Sequence, residues 1–273
     1  MSEALTIGQL AERTGLQPGT LRMWETRHGF PRAERLPSGH RRYPESEVVH
    51  VLEVVRSRDR GLSLTAAIER VTNDLVRTIP SIYAGLRRLR PDLHPYPVPK
   101  RLLVPISHAI EDECSARGER AVFVGSFQRE RFYRQAERRW RGFARTAELA
   151  VALADFPELR EPKDAPLEIP IERGHPLANE WAIVCDGPAF TACLAGWERP
   201  TPGERVFEML WSVEPDVVRE AARLGLEMAA RQLPSVAEEE PERFREPPVA
   251  DPGAVERATA ITNRMVAYMA AAS

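Results

Sequence analysis

Residues 6–43, TIGQLAERTGLQPGTLRMWETRHGFPRAERLPSGHRRY, constrain the fold of this chain more than any other stretch. Ile7, Leu10 and Ala11 fall at i, i+3 and i+4, the spacing of one helical face, and Thr6 before them is an N-capping residue type. Gly15 supplies a turn. Pro18 suits the first turn of a second helix, where its missing N–H costs nothing. That helix spans roughly 17–27, stops at Gly29 and projects Thr20, Arg22, Trp24 and Arg27. Two helices across a tight turn, then an arginine-studded segment carrying Arg35, His40, Arg41, Arg42 and Tyr43, are the parts of a winged helix-turn-helix. Residues 13–42 hold seven arginines against two glutamates, a local net charge of +5 on a chain whose total is −2. A basic patch on a near-neutral molecule points to double-stranded DNA as partner.

The order and spacing of Ile7-Gly8, Leu10-Ala11, Thr14-Gly15-Leu16, Thr20-Leu21-Arg22, Trp24-Glu25, Gly29-Phe30, Arg35, Gly39-His40-Arg41 and Tyr43 resemble the MerR family of bacterial transcription regulators. The resemblance implies an all-α winged helix-turn-helix. It places Thr20, Arg22, Trp24 and Arg27 on the groove-facing helix, and Arg35, His40, Arg41, Arg42 and Tyr43 on the wing. It further implies a homodimer on a palindromic promoter operator, acting on RNA polymerase. Trp24 has an alternative place, packed inside the small domain. Many family members follow this domain with a long antiparallel coiled coil; here Pro91, Pro95, Pro97 and Pro99 interrupt the corresponding segment.

The remaining chain changes texture. A third helix after Pro44 buries Val48, Val51, Leu52 and Val55, and a fourth from Ser63 carries Leu64, Ile68, Val71 and Leu75 at spacings of a helical face. Residues 79–99 then read as a short helix and a proline-rich linker. Beyond it, 121–127, 148–154, 166–171, 180–185, 189–197 and 205–213 are short apolar or alternating runs of strand character. Helical patterns at 103–117, 129–144 and 215–231 separate them, giving an α/β (α+β) domain with a mixed sheet over 100–233. Residues 234–251 are acidic and proline-rich and predict a disordered tether, and 252–273 predict an amphipathic helix. With 1–78 as the winged domain, the division of the chain is complete.

Gly125-Ser126-Phe127-Gln128, Phe132, Asn179-Glu180-Trp181 and Arg205-Val206-Phe207-Glu208 resemble the DICT sensory domain over about 98–233. The resemblance implies sensing of an unidentified small molecule or other signal. Phe127, Gln128, Glu180 and Trp181 are the candidate ligand-binding residues, since a carboxylate beside an aromatic ring can hold a polar ligand. Trp197, Trp211 and Phe207 either join them or fill the core. The seven arginines of 129–145 either form a solvated helix face or meet an anion.

Catalytic chemistry finds no foothold. The histidines show no HxxxH or HExxH pairing, and no Walker loop, GxSxG, GxGxxG or cobalamin-type Asp-x-His-x-x-Gly is present. The expectation is a regulator without enzymatic activity, metal or cofactor. Cys185 and Cys193 form a Cys-x7-Cys pair, so a cysteine-based metal sensor is an alternative, as is a winged targeting module fused to a protein-docking domain. Three cysteines are too few for a disulfide framework, and no apolar run reaches the ~20 residues of a membrane span. A cytoplasmic protein without a signal peptide or membrane contact is expected.

Overall fold

The computed structural model describes residues 4–35, 40–78, 81–118, 120–171, 175–199, 203–238, 241–245, 247–248 and 253–272. The chain forms two compact units, Met1–Thr78 with Pro200–Arg205, and Ile79–Arg199 with Val206–Ser273.

In the first unit, helix α1 (Ile7–Thr14) starts in a capping box: Thr6 Oγ1 accepts the Gln9 N–H while Gln9 Oε1 accepts the Thr6 N–H. It ends at Gly15, whose φ of 71° is the left-handed turn that a side chain would strain. Helix α2 (Pro18–His28) follows, then a two-stranded hairpin of β1 (Glu34–Arg35) and β2 (Arg41–Arg42), and helices α3 (Ser46–Asp59) and α4 (Leu64–Thr78). Leu10, Leu21, Trp24, Phe30, Val51, Val54, Ile68 and Val71 make one core from all four helices. Buried Glu47 holds the segment after α2 by accepting the Arg32 N–H at 2.8 Å.

The second unit is built on a seven-stranded sheet. Its elements in chain order are α5 (Ile82–Leu89), β3 (Tyr96–Pro99), α6 (Lys100–Arg117), β4 (Val122–Ser126), α7 (Glu130–Ala144), β5 (Leu149–Ala154) and β6 (Leu167–Pro170). These are followed by β7 (Glu180–Asp186), β8 (Thr191–Arg199), β9 (Val206–Ser212), α8 (Pro215–Ala230), α9 (Ser235–Glu238), α10 (Glu242–Arg245) and α11 (Ala254–Ala272). The strand order is β3-β9-β8-β7-β4-β5-β6, parallel from β4 to β6 and antiparallel elsewhere. Helices α6 and α7 cover one face with Phe123, Ile183 and Leu194 beneath them and Trp140 of α7 packed down onto it, and α11 packs on α6 through Ile261 and Met265. Helices α5 and α8 cover the other face. Gly125 on β4 is required for the close approach of two rings: a Cβ there would lie 2.5 Å from Trp140 and 2.6 Å from Phe127.

Strand β7 organises both layers through its alternation. Trp181, Ile183 and Cys185 face α6, whereas Glu180, Ala182, Val184 and Asp186 face α5 and α8. The two outermost residues of the second set are fully buried carboxylates. Asp186 pairs with Arg219 of α8 and, through Oδ1 at 3.0 Å, with Arg243 of α10. Glu180 Oε1 accepts the Tyr83 N–H at 2.7 Å, capping the first turn of α5 beside Ser81. Burial pushes the Glu180 carboxyl up to about 7, against the downward pull of that N–H.

Three expectations are corrected. The linker at 79–99 is not outside the sheet unit: α5 packs on α8, and Tyr96–Pro99 is an edge strand paired with β9. Pro97 and Pro99 can lie there because an outer edge needs no donors. The disordered tether at 234–251 is replaced, within its described residues, by α9 and α10, which bury Val236 and Phe244. Arg219 and Arg223 sit 5.0 and 5.6 Å from the Phe244 ring. Finally, Cys185 and Cys193 lie on adjacent strands but pair with Ala192 and Val184, so their thiols project to opposite faces of the sheet and cannot share an ion. Among the described residues no group of three or more metal-ligating side chains gathers, and no helix is long and apolar enough to cross a membrane.

Removing the Arg243 side chain, as in Arg243→Ala, is expected to cost about 1–2 kcal/mol and to expose 234–245 to limited proteolysis, because Asp186 keeps only Arg219. An unchanged melting curve and cleavage pattern would show that the contact does not hold the segment. A raised carboxyl pKa means that the folded chain takes up a proton which the unfolded chain releases, so the Glu180 contribution falls as pH rises from about 4.5 through about 7. Gln in its place still accepts the Tyr83 N–H. The stability gained by Glu180→Gln over the natural residue should therefore grow between about pH 5 and about pH 8. A difference that does not change with pH would contradict the buried, proton-binding carboxyl.

Candidate functional site

The first candidate site lies on the winged unit, where α2 and the hairpin meet. Helix α2 turns Leu21 and Trp24 inward and leaves Arg22, Met23, Thr26 and Arg27 exposed, with Thr20 half-buried. The hairpin pairs Glu34 with Arg42 and Arg35 with Arg41, and Tyr43 beyond it exchanges backbone hydrogen bonds with Leu5 at 2.7 and 2.8 Å. Glu25 joins the two parts. Its Oε1 accepts from Arg41 Nε at 2.6 Å and its Oε2 from the Tyr43 hydroxyl at 2.9 Å. Burial, then the bond to Glu25, pushes the Tyr43 phenol up to about 12, so it remains a donor.

A concavity of about 440 Å³ opens between α2 and the hairpin, with Arg22, His40, Arg41 and Arg42 on its walls. Among the described residues, no carboxylate pairs with Arg22, Arg27 or Arg42. Guanidinium groups that no carboxylate claims can donate bidentately to phosphate oxygens.

Two expected contacts change role. Trp24 and Tyr43 are each only 1 % exposed, Trp24 with its ring centroid 6.4 Å from that of Phe30, so neither presents a side chain to a duplex. Their types suit burial: an indole fills a small core, and a phenol can bury its ring while donating to a carboxylate. Thr20, Arg22, Arg27, His40, Arg41 and Arg42 do line or flank the open face. Arg35 lies on β1, and its side chain falls outside the described residues, as does Gly39. Glu25 was not singled out from the sequence, although an acid amid the basic stretch was the available signal.

The second candidate site is a cavity of about 560 Å³ in the sheet unit, between α6 and α7 and beyond the carboxyl end of β4. Phe127 and Trp181 line it, the latter donating from Nε1 to Ser107 Oγ at 3.0 Å. Gln128 and Glu180 do not line it. Gln128 is buried and donates from Nε2 to Glu198 at 3.0 Å, and Glu180 caps α5. The expectation that these two hold a ligand is corrected, because each amide or carboxyl already serves the fold. Trp197 and Phe207 are core, and Tyr83 stacks on Trp197 at 6.3 Å. Lys100, whose Nζ sits 4.6 Å from the Phe132 centroid, enters the wall without a sequence signal, and Arg138 comes from the basic helix for which an anion is one reading. Much of the basic face of α7 is neutralised by neighbours: Arg134 bonds Glu130 and Glu168, Arg139 bonds Glu111, and Arg141 bonds Glu137.

Comparison with known proteins divides the chain as the structure does. The family described as "MerR HTH family regulatory protein" matches residues 5–73. The DICT family, described as "Sensory domain in DIguanylate Cyclases and Two-component system", matches residues 80–199 and so takes in α5 and β3. The chain is 40% identical over 78 residues to the HTH-type transcriptional repressor CarA of Myxococcus xanthus, covering 28% of this chain and 27% of that protein. It is 30% identical over 71 residues to the HTH-type transcriptional regulator MlrA of Escherichia coli (strain K12), covering 26% of this chain and 29% of that protein. The chain thus spans under a third of the length of the curated relatives it matches. Residues 5–73 thus match the MerR family of helix-turn-helix regulatory proteins, and residues 80–199 the DICT sensory domain.

Proposed function

We propose that the protein is a sequence-specific transcription regulator that binds a palindromic promoter operator as a homodimer and answers a small-molecule signal received by its DICT unit. The observation that carries the DNA-binding part is the Glu25 junction: one carboxylate ties α2 to the hairpin through Arg41 and Tyr43, while among the described residues no carboxylate pairs with Arg22, Arg27 or Arg42. Helix α2 then enters the major groove, and the hairpin arginines follow the adjacent phosphates. A dimer follows from the arithmetic of recognition, since one such helix reads too few base pairs to distinguish an operator from a genome. Action through RNA polymerase, in the compartment holding the chromosome, completes the reading.

Fluorescence anisotropy on a duplex from the protein's own upstream region tests this. Arg22→Ala should weaken binding about tenfold or more and reduce the slope of log affinity against log salt by about one. Unchanged affinity and slope would remove α2 from the interface. Glu25→Gln cuts the ion pair with half-exposed Arg41, costing about 1 kcal/mol of stability after solvent screening. It should keep or strengthen low-salt binding to random duplex, by loss of a negative charge, while the preference for the upstream duplex falls about tenfold. A preserved preference would show that the junction does not set the wing.

A further inference from the structure

We propose that the cavity between α6 and α7 binds a small aromatic acid: a flat apolar body among Phe127, Phe132 and Trp181, with its anionic group facing Arg138. The inference deepens the sensing role proposed above and rests on it. Three features of the wall select this ligand class.

The first is shape and surface. A volume of about 560 Å³ is within the range of about 300–1,000 Å³ that small-molecule sites occupy. Its apolar lining sets three rings, Phe127, Phe132 and Trp181, among small and aliphatic groups, and the rings remain only partly buried. Rings left incompletely covered inside a concavity offer stacking and edge contacts to another ring. The Trp181 N–H is already used by Ser107, which fixes the indole plane.

The second is charge. The wall carries Lys100, Arg138 and Arg139 against the single carboxylate Glu111. Glu111 is committed on both oxygens, one accepting from Arg139 and the other from Trp140 Nε1 at 3.0 Å. Arg138 has no carboxylate partner among the described residues. An anion entering the cavity therefore meets a wall with more cationic than anionic side chains, where exposed Arg138 can donate a charge-assisted bond. A cationic ligand would meet repulsion from the same wall.

The third is the backbone at the rim. Gln128, directly after Phe127, has a φ of 62° without being glycine, and the bond from its amide to Glu198 holds it there. A left-handed non-glycine residue kept in place by its surroundings is a common mark of ligand sites. The site also lies outside the carboxyl end of β4, which has a parallel neighbour in β5 and an antiparallel one in β7.

The test is isothermal titration of the full chain with benzoate, 1-naphthoate and indole-3-acetate, each beside its neutral primary amide. At least one acid should bind, about tenfold or more tighter than its amide. Arg138→Ala should abolish that preference while the apolar contribution persists. Ala136→Trp, which fills the cavity from α7, should abolish binding of both forms with the far-ultraviolet spectrum unchanged. No binding by any acid, equal binding of acid and amide, or full binding by the filled variant would each overturn the proposal. Anisotropy on the upstream duplex, run on the same preparation, separates the two readings: DNA binding without acid binding sinks this inference alone, and acid binding without DNA binding sinks the regulator.

Discussion

One carboxylate fixes the working geometry of the winged unit. Glu25 joins helix α2 to the hairpin side chains directly, whereas Glu47 holds the segment after α2 and the Leu5–Tyr43 backbone pairing holds the hairpin to the residues before α1. The pair with Arg41 is half exposed and contributes little to stability. Its value is positional. A duplex presents its groove floor and phosphate wall at a set separation, and a helix and wing held to one another arrive already matched to it. The same acid takes up part of the positive charge internally through Arg41, while Arg22 and Arg27 of α2 are exposed.

The sheet unit uses the same device on a larger scale. Strand β7 has a buried carboxylate at each end of one face; one caps α5, and the other holds α8 and α10 through arginines. Buried charges are costly unless partnered, so each dictates where a helix must lie. The opposite face of the strand is then free to supply Trp181 to the cavity. Structure and candidate chemistry are thus separated by nothing more than the two-residue period of a strand.

Much of this was legible in the sequence. The HTH helices, the turn at Gly15, six of the seven strands of the large sheet and its four long helices follow from periodicity and turn residues, because long, strongly patterned segments report their own environment. What misled was local composition. Prolines at 95–99 read as a linker, yet an edge strand tolerates them, and the acidic run near 240 gave no hint of a buried aspartate waiting for Arg243. Burial of Trp24 is one of two readings its sequence position allows, and that of Tyr43 is not read at all, since burial depends on what Phe30 and Glu25 do across the fold. Likewise, Gln128 and Glu180 belonged to conspicuous sequence clusters whose polar atoms turn out to serve the scaffold, whereas Arg138 looked like one arginine among many.

Hydroxyl-radical footprinting of the protein on its own upstream DNA examines the central claim, a helix and wing gripping each half of a symmetric operator, most directly. The account predicts two protected blocks related by a dyad, with centres separated by about one or two helical turns and backbone protection flanking each block. Uniform, featureless protection at every concentration that binds, or none at all at low ionic strength, would contradict it.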